Sequence, residues 1–150
     1  MSKEKKTLSA KKYLSQLKVI DEAINQDLGR LSEMKENTLC TGGIDYSRDR
    51  VQTSPVGDRL CSDVTRYTAF NEEINAEIDR FIDAKERIIK EIRELHDVNY
   101  IQVLYKVYVQ FKTLTTASRE MHRSYNFVLN VHKKALKEFE EIHKNLTYLY

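Results

Sequence analysis

The chain has 150 residues, 32% charged and 41% hydrophobic, with a net charge of +2. That balance suits a helix-rich protein with a modest core. It carries no global basic excess, so any surface that meets a nucleic acid must be local.

The first residues, "MSKEKKTLSAKKYL", are basic but lack the apolar stretch of a signal peptide. Residues 1–8 are expected to be disordered, and the default location is the cytoplasm. Ser9 is positioned to cap a helix. From there Leu14, Leu17, Asp21, Ile24, Leu28, Leu31 and Lys35 alternate spacings of three and four, with Ile20 widening the stripe. Gly29 lies inside this run and costs about 1 kcal/mol relative to Ala.

Breakers cluster in one place. Pro55 is the only proline, and Gly42, Gly43 and Gly57 surround it in "CTGGIDYSRDRVQTSPVGD". A loop at about 38–57 follows. Cys40 and Cys61 flank it, so a disulfide is geometrically open, but two reduced thiols are the favoured reading. Neither has the spacing of a zinc ligand pair, and no metal or cofactor is expected.

After the loop, Leu60, Val64, Tyr67, Asn71, Ile74, Ile78, Phe81, Lys85, Ile88, Ile92 and Leu95 step by four and three without a slip. This is a heptad seam over five repeats. Such a helix cannot bury its stripe alone; it needs the first helix folded back on it, or a second chain. Leu60, Val64, Tyr67, Ile74, Ile78, Phe81 and Ile88 are therefore the candidate surface for a partner or a second copy. Of the two polar seam residues, Lys85 is expected to snorkel and Asn71 to be tolerated.

Beyond "HDVN" the pattern changes. Val98, Ile101, Leu104, Tyr105 and Tyr108 suggest a short helix with a broad apolar face. The run Ile101 to Phe111 is too short to span a membrane and contains Lys106 and Gln110.

Residues 113–139, "TLTTASREMHRSYNFVLNVHKKALKEF", then read as two helices around a turn. Leu114, Ala117 and Met121 line the inner face of the first, and Ala117 and Ser118 are small where helices must cross closely. His122 and Arg123 make the turn, and Ser124 caps the second helix. Val128, Val131, Ala135 and Leu136 form its buried side. Tyr125, Asn126, Leu129, Asn130 and Lys133 then face outward from its N-terminal half, where a recognition helix meets the major groove. Residues 98–137 hold seven Lys and Arg against Glu120 alone, a net +6 in a chain of +2. A basic block on an otherwise acidic chain is a footprint for phosphates. Helix pairs with small residues and basic faces also occur in proteins that touch no DNA.

The phrases "DYSRDRVQTSPVGDRL" (45–60) and "KTLTTASREMHRSYNFVLNVHKKAL" (112–136) resemble the ArpU-like family of phage and prophage transcriptional regulators. The second is similar to that family's helix-turn-helix, itself like the one in sigma factors, at Lys112-Thr113, Ser124-Tyr125, Val128, His132 and Ala135-Leu136. The resemblance implies a DNA-binding regulator of phage genes in a bacterial host, acting at or near RNA polymerase. The chain departs from the family at His122, where a Gly is usual, and at Thr116–Ser118, where an acidic-Ile-Ala run is common. Asn126 and Asn130 stand where Arg is frequent.

The combined expectation is an all-α chain. A coiled-coil hairpin over 9–96 precedes a helix-turn-helix domain over 97–150. Double-stranded DNA is met by Lys112, Thr115, Arg123, Ser124, Tyr125, Asn126, Asn130, Lys133 and Lys134. RNA polymerase and a second copy of the chain are further candidate partners; a membrane or a small-molecule substrate is not expected. The alternative is a non-catalytic coiled-coil module that binds proteins and has lost DNA binding. No Gly-rich phosphate loop or nucleophile elbow points to an enzyme.

Overall fold

The computed structural model describes residues 7–40 and 56–149, with the side chains of 38–40, 56–61 and 63 left aside. The core of the predicted loop, 41–55, and residues 1–6 of the predicted disordered start lie outside that set. Among the described residues every regular element is helical: α1 (Ala10–Cys40), α2 (Val56–Arg93), α3 (Val98–Leu104), α4 (Leu114–Glu120) and α5 (Tyr125–Ile142). A single wider π turn, Tyr105–Val109, extends α3. No described helix is long and apolar enough to cross a membrane.

The chain divides into two compact units. One comprises Met1–Glu22 with Phe81–Tyr150, the other Ala23–Arg80. In the first, Tyr13, Leu14, Leu17 and Ile20 of α1 are buried, as are Ile88, Ile89, Ile92 and Leu95 in and after α2. Two polar contacts tie these helices. The Tyr13 hydroxyl donates to Glu91 at 2.6 Å, and the Lys85 ammonium reaches Asp21 at 2.9 Å. Residue numbers rise along one helix as they fall along the other, so here the two run in opposite senses. Burial, then the hydrogen bond to Glu91, pushes the Tyr13 hydroxyl pKa well above its ordinary value.

Lys85 does not simply snorkel. It pairs with Asp21, the charged residue on the α1 stripe, so the two interruptions of the apolar pattern meet each other. An ion pair at one point of a heptad interface favours one register over its neighbours.

The α1 stripe also departs from expectation. Leu28 is 50% exposed, whereas Asp27 is 7% exposed. The buried flank runs through Tyr13, Ile20 and Asp27 instead of Leu14, Asp21 and Leu28, although Leu14 too is buried in the first unit. Leu17, Ile24 and Leu31 are common to both stripes. The flank that wins carries one charge, at Asp27, where the alternative carries Asp21 and Lys35. Asp27 accepts from Arg30 at 3.3 Å, and the Arg30 guanidinium lies 5.2 Å from the Phe70 ring centre. In this second unit Ile74 and Ile78 of α2 are buried.

In the first unit, α3 and α4 each pack on α5. Val103, Ala117, Val128 and Val131 form their shared centre, with Tyr100, Leu114, Met121 and Phe127 around it. Val98, expected on the apolar face of α3, is 65% exposed. It stands in the first turn, just after the cap Asp97, whose carboxylate accepts from Asn99 N at 2.8 Å. Tyr108 on the π turn is buried, and Phe111, two residues past its end, has φ 55°.

The same unit holds the start of α1 and the end of the chain. Ala10 N donates to Glu140, Leu8 N to the Leu146 carbonyl, and Leu149 N to the Gln16 side-chain oxygen at 3.0 Å. Phe139, fully buried, lies against Tyr13 and His143 at ring separations of 6.0 and 4.7 Å.

Candidate nucleic-acid interface

The turn between α4 and α5 is built from two backbone hydrogen bonds. His122 N donates to Arg119 O at 3.2 Å, and Arg123 N donates to Ser118 O at 3.0 Å. This pair is the Schellman closure of a helix. It places His122 at the left-handed position, φ 52°, where glycine is the unstrained choice. Ser118 and Ala117 are buried just before the turn, so small side chains let α4 approach α5. Thr113 caps α4 by accepting from Thr116 N, and Ser124 caps α5 by accepting from Phe127 N, both at 3.2 Å.

The cap leaves the first turn of α5 in the open. Ser124, Tyr125, Asn126, Asn130, Lys133 and Lys134 are all exposed, as are Thr115 and Arg123. Val128, Val131 and Ala135 are buried on the opposite side, and Leu129 and Leu136 lie half-buried between the faces. The Arg123 guanidinium sits over the Phe127 ring at 5.2 Å, which holds its charge at the helix start.

Charge is sorted along α5. No acid occurs from Tyr125 to Lys137, and Glu138, Glu140 and Glu141 follow. This order runs against the helix dipole, which favours acids at the N-terminus and bases at the C-terminus. Two of these acids have structural partners: Glu138 accepts from His96 N at 2.9 Å and contacts its ring, and Glu140 accepts from Ala10 N at 2.7 Å. Among the described residues Arg119, Lys133, Lys134 and Lys137 make no ion pair.

Lys112 is placed differently from the other sequence-predicted residues. Its ammonium donates to both Glu120 oxygens, at 2.7 and 2.8 Å, and Lys106 donates to one of them at 2.6 Å. Hydrogen bonds from Lys106, then Lys112, pull the Glu120 carboxyl down to about 2. One acid thus compensates two of the seven bases, and the free positive charge shifts toward α5 and the turn. Sequence reading missed this cluster because Lys106 and Lys112 stand 14 and 8 residues from Glu120, beyond the reach of any single helical spacing. It also left Lys137 out of the face, although Asn126, Asn130, Lys133 and Lys137 follow spacings of four, three and four along one side of the helix. Arg119, near the end of α4, is exposed as well.

Behind this face, His132 is half-buried and its ring stacks on Tyr108 at 5.8 Å, with Nε2 3.1 Å from the Tyr108 hydroxyl. Burial pushes the Tyr108 hydroxyl up to about 12. Burial and then the charge of Lys11 push the His132 imidazole below its ordinary value.

Comparison with protein-family models, with curated proteins and with solved structures returned no match. The site must therefore be judged on its own geometry.

The predicted partner seam is divided. Ile74, Ile78 and Ile88 are buried within the chain, Tyr67 and Phe81 are half-buried, and Val64 is 50% exposed. The side chain of Leu60, like those of Cys40 and Cys61, lies outside the described residues. Among the described residues no group of His, Cys, Asp or Glu is disposed to hold a metal ion.

Proposed function

We propose that this chain is a transcriptional regulator of the ArpU-like phage and prophage kind, binding double-stranded DNA through a helix-turn-helix formed by α4 and α5. The observation that carries the reading is the N-terminal half of α5. Its outward side chains are amides, a tyrosine and lysines that the fold leaves without ion-pair partners. In this reading α4 crosses the phosphate backbone and the first turns of α5 enter the major groove. Arg119, Arg123, Lys133 and Lys134 neutralise phosphates, and the positive end of the α5 dipole adds to them. Tyr125, Asn126 and Asn130 face the base edges. The α1 and α2 helices then form a coiled-coil hairpin that serves self-association or contact with RNA polymerase.

Fluorescence anisotropy of a labelled duplex tests this reading. With about four phosphates neutralised, log K should fall against log salt with a slope near −3.6. Lys133→Ala combined with Lys134→Ala should reduce that slope by about 1.8 and weaken binding to every sequence alike. Absence of any binding at low salt would refute it.

One observation favours a second reading, a protein-binding coiled-coil module. Leu28 of α1 and Val64 of α2 are each 50% exposed in the second unit. A protein partner retained at high salt and lost on Leu28→Lys with Val64→Lys would support that reading.

A further inference from the structure

We infer that the DNA taken by this face has adenines two base pairs apart, read by Asn126 and Asn130. The inference rests on the DNA-binding reading and deepens it by naming the sequence class.

Asn126 and Asn130 are four residues apart on α5 and both are exposed. At 1.5 Å of rise and 3.6 residues per turn, they stand about 6 Å apart along the axis and about 40° apart around it. Base pairs rise about 3.4 Å along the duplex axis, so two side chains about 6 Å apart in that direction address bases about two steps apart.

The chemistry of the amide selects the base. An asparagine offers one donor and one acceptor in a plane, and adenine presents an N7 acceptor beside an N6 donor in the major groove. Leu129 lies half-buried next to them and offers methyl groups to the thymine C5-methyl of the same pairs. Lys133 continues the face and supplies the positive charge that the amides lack. The fold does not require either amide. Among the described residues neither side chain makes a hydrogen bond, and asparagine is a poor helix former at an exposed site. An A-form RNA duplex presents a major groove too deep and narrow for this approach, which commits the site to DNA.

The test is selection of bound duplexes from a random pool by the full chain, followed by titration of the winning sequence. The wild type should enrich adenines two base pairs apart. Asn126→Ala should erase preference at one of them and Asn130→Ala at the other, each by roughly five- to a hundredfold. Replacing one adenine by 7-deazaadenine, which lacks the N7 acceptor, should weaken wild-type binding. It should add little in the variant whose amide reads that base. Circular dichroism checks that both variants stay folded. If duplexes are retained but show no adenine pair at this spacing, or if the variants keep the wild-type preference, the inference is overturned while DNA binding stands. If no duplex is retained above the protein-free control, DNA binding fails and the inference fails with it.

Discussion

The two halves of α5 belong to one continuous helix and end in opposite roles. From Leu136 to Ile142 the helix is tied down: Phe139 is fully buried, Glu138 holds His96, and Glu140 receives the first amide of α1. From Tyr125 to Lys134 only the inner side is tied down, and the outer side keeps its amides and ammonium groups unpaired. A charged residue near a helix terminus can serve the fold or serve a partner, and its hydrogen bonds tell which. Glu138 and Glu140 of the C-terminal half serve the fold. Lys133 and Lys134 of the N-terminal half make no ion pair among the described residues.

Substitutions should separate the halves by size of effect. Phe139→Ala leaves a cavity against Tyr13 and His143 and should cost about 3–5 kcal/mol in urea unfolding. Ser124→Ala removes the α5 cap and should cost about 1 kcal/mol. A gain is expected at the turn: His122→Gly relieves the left-handed backbone and should stabilise the chain by up to about 1 kcal/mol. If His122→Gly destabilises instead, the ring contributes a contact that outweighs the strain. Lys133→Ala with Lys134→Ala, on the exposed half, should change stability by less than about 0.5 kcal/mol, whatever it does to DNA affinity.

His132 sits on the inner side of α5, and its pH dependence has a definite sign. Its folded pKa lies below the ordinary 6.5, so the unfolded chain takes up the proton first. The neutral ring's contribution is complete above pH 6.5 and is lost as pH falls through the folded value. The urea midpoint should drop between pH 7.5 and pH 5, and His132→Gln should flatten that part of the profile. An unchanged drop in the variant assigns it to other groups.

Local features of this arrangement were legible in the sequence. Ser124 as a cap, Ala117 and Ser118 as the close approach, and Val128, Val131 and Ala135 as the buried side each follow from short-range pattern. His122 in a glycine position was legible as a backbone demand and is met by a left-handed residue. Contacts made across long separations were not. Asp21 and Lys85 are 64 residues apart, and Gln16 meets Leu149 across 133. Nothing in either neighbourhood announces the other. The Lys106–Glu120–Lys112 cluster was hidden for a related reason: its members sit on the π turn, on the link after it and at the end of α4, so no one helical period joins them. The choice between two flanks on α1 needed the charge on each flank to be weighed, which spacing alone does not do.

The most direct test of the contrast within α5 is amide and side-chain chemical-shift mapping by NMR as a short duplex is titrated into the labelled chain. Perturbations should gather on Thr113 to Thr116, on Arg123 to Asn126 and on the outward positions Asn130, Lys133 and Lys137, with Glu138, Glu140 and His96 silent. Perturbations centred on the acid-bearing half, or shifts confined to residues 23–80, would contradict the account.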